Sequence, residues 1–416
     1  MAVTLPEITP LSFPMIEIEE AWRLIREHTS PLPPREFRFT EALGLILCED
    51  VVAPEDVPPF PASVVDGYAL RAEDGQHPRR VLGEQTAGYV AELAVGPNEA
   101  VWITTGAPVP RGANAVVKVE DTETHKGHII PKVVIRPGDN IRPVGHDIRK
   151  GDVVLPKGTQ LGPAEIGILA TVNALQVLAH PRPRVAVMST GDEIREPGTA
   201  LAPGQIRDSN RYTLMAAVTQ LGGMPVDLGP VQDQEETLRA ALARGIAEAD
   251  MIISSGGVSM GSRDLLKPIL ADMGHIHFGR VRVKPGKPVT FATVNGTPVF
   301  ALPGNPVSAL VSFYLYAALA MRILAGHPAW QHPQTRVKLA HSITREPGRV
   351  EFQRAKAWRE GATIWARTTG PQASSRLLSM VGANVLLRLE AEWEHISEGT
   401  EVEAIVLEPL GLEATP

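Results

Sequence analysis

Carboxylates, lysines and glycines gather where short apolar runs end. Asp192 and Glu193 close Ser-Thr-Gly-Asp-Glu (189–193) after the run 185–188, and Asp233 follows the run 226–231. Ser254–Gly261 follows the run 251–254, holds three glycines and three serines, and leads to Asp264. Lys284 and Lys287 flank Pro285-Gly286 after the run 280–283, and Pro303-Gly304-Asn305-Pro306 follows the run 299–302. Carboxylates converging from such junctions, Asp192, Glu193, Asp233 and Asp264, suit a hard cation such as Mg²⁺. Each also suits a helix cap, Asp233 above all. Glycines at Gly256, Gly257 and Gly261, beside Ser255 and Ser259, allow backbone to approach a phosphate or a flat ring. If Pro306 starts a helix, the amides of Val307 and Ser308 offer a site for an anion, with Asn305 as the alternative ordinary cap. Lysines on a proline-stiffened turn suit an oxyanion.

Three further groups lie earlier: Asp66 in Val-Asp-Gly-Tyr-Ala, Thr105 in Thr-Thr-Gly-Ala-Pro, and Asp147 in Val-Gly-His-Asp. Spacing alone makes each a turn residue. The twelve histidines show no zinc-binding spacing, and a single cysteine, Cys48, excludes an internal disulfide. Its surroundings, Leu-Ile-Leu-Cys, read as a buried helix face. A net charge of −7 gives no electrostatic footprint for nucleic acid.

The elements that must position these groups are strands and helices in alternation between about 181 and 328. Runs at 185–188, 226–231, 251–254, 280–283 and 299–302 read as strands of a largely parallel sheet, whose ligands sit at the carboxyl ends. Asp208-Ser209-Asn210 could cap a helix through Leu214, Ala217, Val218 and Leu221, and another is expected after Asp233, through Leu238, Ala241, Leu242 and Ile246. The apolar stretch Val307–Met321 is shorter than the roughly 18–20 residues of a membrane span and reads as a buried helix. With no basic-then-apolar leader, the protein is expected to be cytoplasmic. Residues 16–29 and 40–48 read as short helices, and Gly162-Pro163 opens another. The stretch 51–155, rich in proline and glycine turns, reads as antiparallel β, as does the tail through 349–358, 362–367, 384–390 and 400–407.

The motifs Asp-Gly-Tyr-Ala (66–69), Thr-Thr-Gly-Ala-Pro (104–108), Gly-His-Asp-Ile (145–148), Ser-Thr-Gly-Asp-Glu (189–193), Asp-Ser-Asn-Arg (208–211), Ser-Ser-Gly-Gly-Val-Ser-Met-Gly (254–261), Lys-Pro-Gly-Lys-Pro (284–288) and Leu-Pro-Gly-Asn-Pro-Val-Ser-Ala (302–309) occur in that order. Together they resemble the MoeA family of molybdenum insertases, including the E domain of gephyrin. The resemblance implies an α/β plus β multidomain fold. Its parts are a helical subdomain (15–50 with 151–180), a β-rich projecting subdomain (51–150), a central three-layer α/β molybdopterin-binding subdomain (181–328) and a small β-barrel (333–412). It further implies pairing of the amino-terminal helices with the helix near 163–174.

The activity so implied is Mg²⁺-dependent insertion of molybdate into adenylylated molybdopterin with release of AMP, in a homodimer whose clefts join two subunits. Asp66, Thr105, Asp147, Glu193, Asp233 and Asp264 would then be catalytic, and Asp192, Glu193 and Asp264 would hold the Mg²⁺. Ser255, Gly256, Gly257, Ser259, Gly261, Lys284, Lys287, Pro303, Gly304, Asn305, Pro306 and Ser308 would bind substrate. A separate molybdopterin adenylyltransferase would be the pathway partner, with no nucleic acid or membrane involved. The alternatives are an adenylyltransferase of the preceding step and a gephyrin-like scaffold. The sequence departs from the family at Gly261-Ser262-Arg263-Asp264-Leu265, where an acid and an aromatic are usual.

Overall fold

The computed structural model describes residues 13–257 and 265–410. The chain forms two compact units, residues 36–179 and residues 1–35 with 180–416.

In the unit formed by 36–179, a six-stranded sheet runs 115–118, 67–70, 99–103, 79–85, 128–131, 122–125. Asp66 enters this sheet through Gly67, and glycine is required there: a Cβ would lie 1.9 Å from the Val117 carbonyl oxygen. Tyr68, Leu70, Ala100, Val117 and Ile129 fill one side. The helix Pro163–Thr171 forms as expected, with Pro163 in its first turn and the Glu165 carboxylate accepting from the Gly162 amide at 2.9 Å. Its Leu169 packs with Leu45, Leu47, Leu161 and Val177.

The helix expected over 40–48 does not form. Phe39–Glu41 is a single 3₁₀ turn, and Ile46–Leu47 is a strand pairing beside Gln176–His180. A short apolar run satisfies either geometry, and the non-local sheet partner decides. Cys48 is therefore half-buried at a strand end rather than on a helix face, where burial raises its thiol pKa.

The larger unit is built on a second six-stranded sheet, ordered 224–231, 184–190, 251–255, 297–302, 290–294, 275–278. The first four strands are parallel; 290–294 and 275–278 add antiparallel pairings. Alternation along the strands splits the core between two faces. Val185, Val187 and Ile253 meet the helices Ile18–Glu27 and Asn210–Gln220 and the long helix Pro306–Leu324. Ala186, Met188 and Ile252 meet Glu235–Glu248 and Leu266–Met273.

The amino-terminal helix packs in this core through Ile18, Ala21 and Ile25. Its Trp22 indole donates to the Leu315 carbonyl at 2.9 Å. The long helix has 19 residues and is apolar enough to cross a membrane by length and composition, yet 94% of its most apolar window is buried inside the fold.

The run 280–283 leaves the central sheet: Val283–Lys284 pairs in parallel with Val350–Glu351. That pairing adds a strand to a closed five-stranded barrel in which 350–360, 363–368, 334–339, 401–406 and 385–389 follow one another and 385–389 returns to 350–360. Val337, Leu339, Ala355, Ala366, Leu387 and Ala404 fill its interior. The strand Gln334–Leu339 is one that the sequence pattern did not reveal.

Candidate functional site

Four parallel strands deliver their carboxyl ends to a cavity of about 830 Å³. Ser189, Thr190, Gly191 and Glu193 come from the end of 184–190, Asp233 from beyond 224–231, Ser255–Gly257 from the end of 251–255, and Pro303–Pro306 from the end of 297–302. Asp208, Ser209 and Asn210 enter at the start of a helix, and Ile194, Ile206, Arg207, Pro288 and Ser375 complete the lining. This is where an open α/β sheet binds ligands, because loops and helix starts present free backbone groups there.

Gly256 and Gly257 have φ of +98° and +68°. A Cβ on Gly256 would stand 2.5 Å from the Thr190 carbonyl, so only glycine lets this loop lie against the end of 184–190. Asn210 Nδ2 donates to Ser255 Oγ and to the Gly304 carbonyl, each at 2.7 Å.

Behind the cavity Arg211 is 1% exposed and meets three carboxylates: Asp208 at 2.9 Å, Asp227 and Glu196. Burial alone would lower its pKa, but the bonds to Asp208 and Asp227 outweigh this and raise it. Asp208 also accepts from Ser189 Oγ at 2.5 Å and from the Arg211 amide at 3.1 Å. The carboxylate that the sequence suggested as a cap is therefore the anchor of a buried charge cluster.

Of the residues expected from the sequence, Glu193, Asp233, Ser255, Gly256, Gly257, Pro303, Gly304, Asn305 and Pro306 line this one cavity. Asp192 stands beside them, its Oδ1 accepting from the Asp233 amide at 3.4 Å. The helix after Asp233 begins at Glu235, with Gln234 rather than Asp233 at its N-cap position and without a side-chain capping bond. Ser259, Gly261 and Asp264 lie outside the described residues.

Lys284 goes elsewhere. Its ammonium pairs with buried Glu351 at 3.4 Å, in a separate cavity of about 430 Å³ lined also by Arg345, Gln353 and His341. The backbone of Lys287 turns the chain, its carbonyl accepting from the Val281 amide at 3.1 Å, and only its neighbour Pro288 lines the main cavity. Ser308 is buried in the long helix, and the Val307 amide donates to the Ser374 carbonyl at 3.0 Å, so that amide is not open to an anion.

Asp66 and Thr105 come together in the unit 36–179. The Asp66 carboxylate accepts from the Thr105 amide at 2.7 Å and its hydroxyl at 2.9 Å, and these bonds hold its pKa below the usual value. Asp147 accepts from His146 Nδ1 at 2.9 Å and pairs with Arg142 at 3.3 Å; the His146 bond, then the Arg142 charge, lower its pKa. Thr105 and Arg142 share a cavity of about 240 Å³ with Pro58, Phe60 and Ser63.

Among the described residues no group of three or more His, Cys, Asp or Glu side chains is arranged to hold a metal ion. Glu193 and Asp233 supply hard oxygen ligands on the cavity wall. That suits Mg²⁺, which is commonly held by one or two carboxylates together with substrate phosphate and water. Reasoning from sequence missed Ser189, Thr190, Asn210 and Ser375; the Asp-Ser-Asn-Arg motif signalled Asn210 but read as a helix cap.

Fold and site together define an α/β protein with a ligand cavity at its strand ends, carrying a closed β-barrel. Residues 16–173 match the MoeA N-terminal region (domain I and II), 186–322 the probable molybdopterin binding domain, and 336–407 the MoeA C-terminal region (domain IV). The chain is 34% identical to a molybdopterin molybdenumtransferase of Haemophilus influenzae, covering 95% of this chain and 98% of that one. It is 36% identical to molybdopterin molybdenumtransferase 2 of Mycobacterium tuberculosis, over 94% and 99%. Gephyrin of Dictyostelium discoideum is 36% identical over 96% of this chain, which spans 63% of gephyrin's length. The solved structure of a molybdopterin biosynthesis MoeA protein from Pyrococcus horikoshii superposes with a TM-score of 0.81 at 31% identity, over 95% of this chain and 100% of that one. The chain belongs to the MoeA family.

Proposed function

We propose that this protein is a molybdenum insertase, transferring molybdate into adenylylated molybdopterin with release of AMP. The observation that carries the reading is the main cavity. Glycine loops, the Pro303–Pro306 turn and carboxylates converge at the strand ends of a chain that aligns over 95% and 94% of its length with two molybdenumtransferases.

In this reading the flat pterin and the phosphates lie against Ser255–Gly257 and Gly304, where no side chain intervenes. Glu193 and Asp233 face the phosphates, and a Mg²⁺ ion held there would offset the clustered negative charge. Arg207 on the same wall supplies one positive charge toward an anionic substrate, and a cation held by Glu193 and Asp233 would add to it. Lys287, next to Pro288 on the wall, is the lysine we retain for molybdate, since Lys284 is committed to Glu351.

The protein would act as a cytoplasmic homodimer, with Asp66, Thr105 and Asp147 of one subunit completing the cleft of the other. A separate adenylyltransferase would supply the substrate. The test incubates pure protein with adenylylated molybdopterin, Mg²⁺ and molybdate. AMP and active cofactor are expected. Absence of both, while a known insertase works in parallel, overturns the proposal.

A further inference from the structure

Asn210 stands where two ligand loops leave the support of the sheet. The strands 251–255 and 297–302 pair as far as Ser255 and Leu302, and the Gly256 amide still reaches the Leu302 carbonyl at 3.0 Å. Beyond that point both loops carry glycines: Gly256 and Gly257 on one side, Gly304 on the other. A Cβ added to Gly304 would lie 3.8 Å from Gly256 Cα, so the loops run side by side.

Across this gap Asn210 Nδ2 donates both hydrogens, to Ser255 Oγ and to the Gly304 carbonyl. The Gly304 carbonyl can only accept, which fixes the amide orientation. Ser255 Oγ in turn reaches the Pro303 carbonyl at 3.4 Å, closing a short chain of bonds around the loop ends. The brace itself is immobile, because the next residue, Arg211, is locked into the buried cluster with Asp208 and Asp227.

We infer that Asn210 is a positioning residue that sets the separation of the Ser255–Gly257 and Pro303–Pro306 loops, and so the width of the slot that receives the pterin. The choice of ligand rests on the proposed function; the brace does not. Helix capping would need one bond from this side chain to its own helix. The bonds observed instead go to residues 45 and 94 positions away.

The test uses the full-length protein and its Asn210→Ala, Asn210→Asp, Ser255→Ala and doubly substituted (N210A with S255A) forms. Hydrogen exchange is read without ligand over 254–257 and 302–306, and molybdopterin binding by its fluorescence. In Asn210→Ala both segments should exchange faster by about tenfold, the effect of ordinary hydrogen bonds, while 224–231 keeps its rate. Asn210→Asp should behave the same way, since a carboxylate cannot donate to the Gly304 carbonyl. Molybdopterin affinity should fall by about tenfold in Asn210→Ala, with the double form losing less than the sum of the two single losses. Unchanged exchange in either segment overturns the brace, as do strictly additive losses. If the unaltered protein does not bind molybdopterin, the ligand reading falls and the exchange data still judge the brace.

Discussion

The carboxylate of Asp66 accepts two hydrogen bonds from Thr105, one from its amide and one from its hydroxyl, across 39 positions of sequence. Both bonds favour the ionised acid, so Asp66 is held below the ordinary carboxylate range. Thr105→Val removes the hydroxyl and leaves the amide. The Asp66 pKa should then rise part of the way back, read by carboxyl NMR titration. A depressed acid stabilises the fold above its unfolded pKa, and this contribution is lost as pH falls through the folded value. The variant should accordingly show less acid dependence in that window; an unmoved Asp66 titration would contradict the assignment.

Asp66 and Glu193 belong to different compact units. If the cleft is shared between subunits as proposed, Asp66→Ala and Glu193→Ala should each abolish insertion. Glu193→Ala should leave stability within the roughly ±0.5 kcal/mol usual for exposed positions, while Asp66→Ala should lose only what its two bonds to Thr105 contribute and remain folded. Mixing the two inactive proteins should restore partial activity, because one cleft of each mixed dimer keeps both acids. No rescue, with mixed dimers shown to form, refutes the shared cleft and leaves the insertase reading in place.

Arg211→Met should unfold the protein more readily. The Arg211–Asp208 pair is fully buried, and removing the arginine leaves the Asp208 charge without its partner. Such losses run to about 3–5 kcal/mol, measured as a shift in denaturant midpoint. A change below about 1 kcal/mol would show that water reaches Asp208.

Gly67→Ala should damage the β-rich unit. Its Cβ would overlap the Val117 carbonyl, which belongs to the paired strand and cannot step aside. Overpacking of this kind costs about 1–3 kcal/mol or more, and the loss should appear as lowered protection of 67–70 and 115–118.

Three histidines, His332 buried and His277 and His327 half-buried, set an acid limit on the fold. Burial lowers His277, His327 and His332 to about 4, with His28 and His275 adding to the effect at His277 and Arg322 at the other two. The unfolded chain takes up protons near 6.5 and the folded chain does not, so stability is present above about 6.5 and is lost as pH falls from there towards 4. His332→Gln should flatten this loss, seen as fewer protons taken up on unfolding at pH 5. Identical proton uptake would exclude His332 from the effect.

The sequence carried the loops better than it carried their surroundings. Apolar runs ending in glycine or proline mark strand ends through local chemistry, and Ser255, Gly304 and Glu193 fell where that pattern placed them. Lys284 did not, because its partner strand begins at Val350, and no local period announces a pairing so distant. The Val307 amide followed the same logic: Pro306 does start a helix, but Ser374 arrives from the barrel to take the hydrogen bond. Asn210 was visible as a residue type and misread as to its task, since a cap and a brace look alike until the loops it joins are in place.

The 36–179 unit interrupts the larger one, and the interruption is pinned at its neck, where His180 Nδ1 lies 2.7 Å from the Leu32 carbonyl. This has a consequence for biosynthesis. The helix 18–27 leaves the ribosome early, yet the residues that cover its apolar face, 313–324, are made nearly 300 positions later. At about 5–20 residues per second that helix waits tens of seconds for its core. Meanwhile the interrupting unit is complete in sequence and free to fold. An early apolar segment left uncovered for so long is a natural handle for a chaperone. Synonymous slowing of translation between 180 and 306 should lengthen that exposure and lower soluble yield, without changing one residue of the finished protein.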